Sequence, residues 1–154
     1  MSDKIHIRYG ELKDVETLCS FGIALAKETE NKTLNPELVN KGVQNHITNR
    51  DTGFYLVAEC EDRIAGTLMI TLEWSDWRNG FFWWIQSVYI HPEFRRKGIF
   101  RKLYNKVKSL AKEQKNVCGL RLYVDQDNQP ALQTYKAMGM QKTNYHLYEM
   151  EFWS

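Results

Sequence analysis

The chain has 154 residues, enough for one domain with a substantial core and too few for two ordinary ones. Hydrophobic residues make up 43% and charged residues 26%, a globular balance, and a formal net charge of +2 does not by itself require a polyanionic partner. The longest fully apolar run, Phe81 to Ile85, is far below the roughly 20 residues needed to cross a bilayer. Met1-Ser2-Asp3-Lys4 opens no apolar signal core, so a cytoplasmic protein with no membrane role is expected.

Cys19, Cys60 and Cys118 are widely spaced, with no CxxC pair and no His/Cys cluster. They read as three small core residues in a reducing compartment, and no metal is expected.

Ile5 to Tyr9 alternates as a short strand. From Glu11 to Glu30, Leu12, Val15, Leu18, Cys19, Gly22, Ile23, Leu25 and Ala26 recur at helical spacing. Asn35-Pro36-Glu37 reads as a cap followed by proline at the first helical position, opening a second helix to about Thr48. Phe54–Cys60 and Arg63–Trp74 read as strands joined by a Glu61-Asp62 turn. After a polar loop with an Asn79-Gly80 turn, Phe81–Ile90 is an almost wholly apolar strand, expected to be buried on both faces.

From Gly98 the period changes. Ile99, Leu103, Val107, Leu110 and Ala111 mark one face of a helix ending near Gln114. Leu120–Val124 is expected as a strand. Asn128 or Asp127 caps a helix that Gly139 ends, and two strands are expected near Met140–Tyr145 and His146–Phe152. The order predicts one α/β domain spanning 1–154.

The most informative stretch runs from Val88 to Phe100. A buried strand ends at Ile90, and a short basic turn leads straight into a helix whose N-terminus presents unpaired N–H groups and the positive end of its dipole. Gly98 lets the backbone approach a ligand closely, so the turn suits a pyrophosphate. Arg95 to Lys115 carries nine basic residues and one acid, Glu113. No Walker-type or GxGxxG pattern competes with this reading. A nucleic-acid role would need stacking aromatics interleaved with the basic residues or a recognisable module, and no such arrangement is evident.

Arg95, Arg96-Lys97, Gly98 and Ile99 resemble the acetyl-CoA-binding motif of the GCN5-related N-acetyltransferase family: arginine or glutamine, two residues, glycine, one residue, then glycine or alanine. The His91-Pro92-Glu93-Phe94 lead-in is similar too, while Phe100 departs from the small residue at the sixth place and is expected to fill space against the sheet. Downstream, Asn128, Ala131, Tyr135 and Gly139 resemble the family's later motif.

The resemblance implies a mixed, mostly antiparallel sheet of six to seven strands flanked by about four helices, with central strands splayed into an acetyl-CoA cleft. It implies transfer of an acetyl group from acetyl-CoA to a primary amine, small or peptidyl, and family habit favours a homodimer. Carried over, Val88, Tyr89 and Ile90 would hold pantetheine through their backbone. Arg95, Arg96, Lys97, Gly98, Ile99, Phe100 and Arg101 would surround the pyrophosphate. Asn128 would bond the pantetheine arm, and Tyr135 would protonate the departing thiolate.

Amine acetylation also needs a neutral nucleophile and a stabilised oxyanion. Many family members place a glutamate on the strand before the phosphate turn; here Gln86 and Ser87 stand there and could only order a water. The nearest acids are Glu73, a candidate base, and Asp76, beside Trp74, a combination suited to a cationic amine. Glu28 and Glu30 lie between the first two helices, the segment that covers the acceptor in the family. A free amine deprotonated through bulk water and a non-catalytic acyl-CoA-binding domain both stand as alternatives. His91 reads as turn structure.

Overall fold

The computed structural model describes residues 4–153. A five-stranded sheet in simple sequential order is built from β1 (Ile5–Tyr9), β2 (Gly53–Cys60), β3 (Arg63–Ser75), β4 (Gly80–Ile90) and β5 (Val117–Arg121). The first four strands run antiparallel to their neighbours, while β5 runs parallel to β4. Four helices accompany them: α1 (Val15–Glu30), α2 (Pro36–Thr48), α3 (Ile99–Glu113) and α4 (Gln129–Ala137). The chain divides into two compact units, Met1–Leu122 with all five strands and α1 to α3, and Tyr123–Ser154 with α4.

Local chemistry explains most boundaries. Asn35 Oδ1 accepts from Glu37 N at 2.9 Å, and Pro36 follows at the first helical position, so α2 starts where the sequence predicts. Glu61 and Asp62 both take positive φ (51° and 65°), the geometry a two-residue hairpin needs to match strand twist. At the start of the first unit, a single 3-10 turn (Leu12–Asp14) precedes α1 where continuous helix was expected. The reason is Asp14. Its carboxylate accepts from Glu11 N at 2.8 Å and from Arg8 at 2.7 and 2.9 Å, and Arg8 also reaches Glu59 at 3.0 Å.

The core of the first unit lies on both faces of the sheet. β2 is buried along almost its whole length. Tyr55 and Val57 pack with Leu18, Cys19 and Val43 from α1 and α2, while α3 buries Ile99, Leu103, Val107 and Ala111. Leu56, Leu68, Ile70, Ile99 and Leu103 are the largest fully buried side chains, so the middle of the sheet and the first turns of α3 form one rigid base for the turn between β4 and α3.

Four expectations need correction. β4 is not buried on both faces: Trp83, Ile85 and Tyr89 are buried, whereas Phe82, Trp84 and Gln86 are half-buried. β5 begins three residues earlier than Leu120 and stops at Arg121, because Val117 and Gly119 already pair with β4, and the Phe82 ring packs against the bare Gly119 α-carbon. Cys118 is exposed, unlike buried Cys19 and Cys60. The two C-terminal strands are absent: residues 140–153 contain neither helix nor strand, so the sheet has five strands instead of six or seven. Their alternation of apolar and polar residues has the strand period, but a strand also needs a ladder partner, and none is formed there.

Candidate active site

The site is built where β4 parts from β5. Pairing between them covers only Phe81–Trp84 against Val117–Arg121. Beyond Trp84, β4 continues for six residues with no strand partner on that side among the described residues, an open ladder of about 20 Å. The backbone N–H and C=O groups aimed that way must find another partner, and a ligand rich in amides is a suitable one.

Within this open stretch β4 carries a bulge. Thr67 pairs with Tyr89 and Met69 with Gln86, so one extra residue is accommodated at Ser87–Val88, and Ser87 takes a φ of +49°. The bulge has a consequence for side-chain direction. Gln86 and Tyr89 are three residues apart and would point to opposite faces of a regular strand. With the extra residue both share the face of Met69 and Thr67, the face on which α1 and α2 pack. Trp84, Thr71, Glu73, Phe82 and Arg121 have the same parity.

At the end of β4, His91 Nδ1 accepts from Glu93 N at 3.1 Å and caps a single 3-10 turn (Pro92–Phe94), the structural role expected of it. Arg96 and Gly98 then take positive φ, 65° and 74°. Gly98 is the N-cap of α3 and supplies no side-chain acceptor; the first turn of α3 holds no acid. Nothing lies within 4 Å of where a Cβ on Gly98 would stand. An uncapped helix N-terminus, an open glycine face and the adjacent Arg96 and Lys97 together fit a pyrophosphate. Arg101 is exposed in the first turn of the same helix, and Phe100 is half-buried with its ring 6.2 Å from that of Tyr104.

Arg95 is placed differently from its neighbours. Its Nε donates to the Ile90 carbonyl at 2.8 Å and a terminal nitrogen donates to Glu28 at 2.9 Å. The buried Tyr89 hydroxyl donates to the other Glu28 oxygen at 2.7 Å. Glu28 on α1 is thereby bridged to the end of β4, and the Tyr89 and Arg95 bonds hold its carboxyl below the usual range. Burial and the Glu28 carboxylate push the Tyr89 phenol up. Glu30, by contrast, pairs with Lys32 in an exposed contact at 3.1 Å.

Glu73, at the other end of the open stretch, is likewise engaged. Its Oε1 accepts from the Trp84 indole at 2.7 Å and from Arg121 at 2.9 Å, and these bonds hold its pKa down. The Arg121 guanidinium also lies 3.6 Å from the Phe82 ring centroid. Trp74 stacks edge-on against Phe81, and Asp76 is exposed in the turn between β3 and β4. Gln86 Nε2 donates to Thr71 Oγ1 at 2.6 Å, which fixes the amide where a carboxylate was looked for.

In the second unit, Asn128 caps α4, its Oδ1 accepting from Ala131 N at 3.2 Å. Tyr135 is half-buried on the same helix, and burial raises its phenol above the ordinary value. Among the described residues no cluster of His, Cys, Asp or Glu could hold a metal. Nor, among those residues, is any helix long and apolar enough to cross a membrane.

Sequence reasoning missed the Arg95–Glu28–Tyr89 bridge and the pairing of Glu73 with Arg121. Each joins residues at least 48 apart in the chain, and no periodicity signals such a contact. The Ser87 bulge had a faint signal in the polar Gln86-Ser87 pair interrupting an apolar strand.

A strand with one open side, bulged at its middle and running into an uncapped glycine turn and a basic helix, offers backbone groups to an extended polar chain and a helix N-terminus to a phosphate. Comparison with known proteins agrees: the acetyltransferase (GNAT) family profile matches residues 21–140, and the chain belongs to that family of acyltransferases. A crystal structure of a possible acetyltransferase from Clostridium difficile 630 is 42% identical, covers 97% of this chain and 99% of its own, and superposes with a TM-score of 0.91. A predicted acetyltransferase from Clostridium acetobutylicum, crystallised with acetyl-CoA, is 22% identical, with 96% of each chain covered and a TM-score of 0.77. An aminoglycoside acetyltransferase from an uncultured soil metagenomic sample is 19% identical over 96% of each chain, TM-score 0.74. No curated protein matches the chain.

Proposed function

We propose that this protein transfers an acetyl group from acetyl-CoA to a primary amine. The observation that carries the reading is the continuous path from the unpaired side of β4, Ile85–Ile90, into the glycine turn and the N-terminus of α3. Acetyl-CoA, when bound, supplies the electrophilic thioester carbonyl. The relative crystallised with acetyl-CoA supports the choice of donor.

The chain's own residues then divide the work. Backbone N–H groups at the start of α3, with Arg96, Lys97 and Arg101 nearby, hold the pyrophosphate. Val88, Tyr89 and Ile90 present backbone groups to the pantetheine amides, and the bulge at Ser87 re-aims an amide towards the carbonyl oxygen as negative charge develops. Arg95 braces the turn through Ile90 and Glu28 and contributes its backbone. Asn128 retains its amide N–H donors for the pantetheine arm. Tyr135, kept protonated by its burial, is the proton donor to the departing thiolate.

Glu73 had two suggested roles, base and substrate contact, and its geometry supports the second. Trp84 and Arg121 stabilise its charged form, so it accepts a proton poorly, while Oε2 keeps acceptor capacity for an amine N–H. Water ordered by Gln86 or bulk water removes the amine proton. Glu28, Glu30 and Glu73 each already have a basic partner, so these acids do not single out a cationic amine. A small or peptidyl amine remains the acceptor class, in contact with Glu73 and Gln86 on one face of the sheet; Trp74 lies on the other face and Asp76 in the turn beyond it, so neither meets the same small acceptor.

The test is CoA-thiol release from acetyl-CoA against polyamines, amino acids, aminoglycosides and short peptides, after calorimetry with acetyl-CoA alone. Turnover with one class supports the reading and identifies the acceptor. Absence of acetyl-CoA binding overturns it. A second reading, an acyl-CoA-binding domain without catalysis, is favoured by Gln86 standing in place of a carboxylate; tight binding with no turnover on any amine supports that one.

A further inference from the structure

Two polar side chains near the end of β4 have no part in the chemistry assigned above. The Tyr89 side chain is buried, and Glu28 lies in the last turn of α1. An acid there is set against the helix dipole, which favours cations at a C-terminus. Its partners come from β4 and the turn that follows. The Tyr89 hydroxyl donates to one Glu28 oxygen at 2.7 Å, and Arg95 donates to the other at 2.9 Å. Phe21, earlier on α1, packs its ring 5.0 Å from that of Tyr89.

Tyr89 reaches α1 only because β4 is bulged. Thr67 pairs with Tyr89 and Met69 with Gln86, so Ser87 and Val88 together oppose Leu68. Without the bulge, pairing onward from Gln86 would set Ser87 against Leu68, Val88 against Thr67 and Tyr89 against Gly66. The Tyr89 ring would then turn to the opposite face of the sheet, away from Glu28. That regular register needs no positive φ, whereas the bulged one holds Ser87, a residue with a side chain, at +49°. Strained backbone persists where its surroundings over-determine it. A bond made in one register and lost in the other biases the choice between them, and the Tyr89–Glu28 bond is such a bond.

We propose that Glu28 is a positioning residue: through the Tyr89 hydroxyl it locks the Ser87–Val88 bulge, and so fixes the backbone amides offered to the thioester. The Arg95–Glu28 pair is 44% and 43% exposed, where solvent screens it, so the buried Tyr89 arm carries more of the lock. Glu28, expected from the sequence to meet the acceptor, thus acts on the acyl donor's side of the reaction. The lock does not depend on the acyl-transfer reading; its effect on turnover rests on that reading.

Two substitutions in the full chain test this. Tyr89→Phe removes only the hydroxyl, and Glu28→Met removes both acceptor oxygens while keeping a good helix former. In the unliganded protein, NMR relaxation dispersion should reveal millisecond exchange confined to residues 86–90 in each variant and absent from the unaltered chain. With acetyl-CoA and an acceptor, kcat should fall about tenfold in each, while the Kd for acetyl-CoA and the KM for the acceptor stay within about twofold. The double variant should lose no more than either single one, because both break one contact. Glu28→Gln, whose amide oxygen still accepts from Tyr89, should recover most of the rate. Quiet amides at 86–90 in both variants would overturn the lock whatever the activity. Exchange there with an unchanged kcat would overturn its part in transfer. If the unaltered protein turns over no amine, the acyl-transfer reading fails, and the relaxation data alone decide the lock.

Discussion

At Gly98 the backbone turns left-handed, φ +74°, with nothing near the missing side chain, at the mouth of a helix with no cap. An aspartate there has open space for its side chain and costs about 1–2 kcal/mol for the positive φ, a conformation aspartate tolerates better than most residues, so Gly98→Asp should still fold. Its carboxylate would stand beside the pyrophosphate. At about 5 Å and an effective dielectric of about 20, the repulsion is roughly 3 kcal/mol, so affinity for CoA should fall about a hundredfold or more. Calorimetry giving unchanged affinity would remove the phosphate site from this turn.

Tyr135 makes a separate prediction. Tyr135→Phe should lower kcat by about a hundredfold while the Kd for acetyl-CoA stays constant. Because burial raises the phenol, the unaltered enzyme should lose this proton donor only above the ordinary tyrosine range of about 10. An unchanged kcat in the variant, or an alkaline limb well below that range that vanishes with the substitution, contradicts the assignment in the first case and its protonation state in the second.

Between elements, the Arg8–Asp14–Glu59 network joins β1, the turn before α1, and β2. Asp14 is almost fully buried, so Arg8→Ala leaves a buried carboxylate without its partner and should cost about 3 kcal/mol in a denaturant titration. The pH dependence has a definite sign. Burial alone would raise the Asp14 pKa, but the Arg8 and Glu11 bonds outweigh it and the net shift is downward. Its contribution is therefore present above the unfolded carboxylate value of about 3.9 and is lost as pH falls through the folded one. In the variant burial, the Glu11 bond and the charge of Lys13 remain but both contributions of Arg8 are gone, so the stability gap to the unaltered protein should narrow in acid. A gap independent of pH would mean that the network acts through packing alone.

Over the whole molecule, what the sequence made legible was whatever depends on neighbours along the chain. β1, α2, the hairpin of β2 and β3, and α3 lie within a residue or so of their expected bounds because period, caps and turn residues are local. The glycine turn was legible for the same reason: strand, basic turn and helix are contiguous. What failed was what depends on a partner. β5 took its register from β4, not from its own Leu-Arg-Leu-Tyr-Val alternation, and the C-terminal hairpin had alternation but no ladder. The pairing of Glu28 and Glu73 with arginines was invisible in the same way, and it changes the chemistry assigned to both acids.

The unpaired side of β4 has one further consequence. An amide in a ladder is shielded from solvent protons, whereas an unpartnered one exchanges at a rate near that of an unfolded peptide. Among residues Ile85–Ile90, the N–H groups bonded to β3 should therefore be slow to take up deuterium and those facing away from it fast, an alternation that breaks at the Ser87 bulge. Saturation with CoA should slow the fast set selectively and leave β1 and β2 untouched. Mass spectrometry of deuterium uptake would thus trace the ligand's path along the backbone one amide at a time, with no substitution needed.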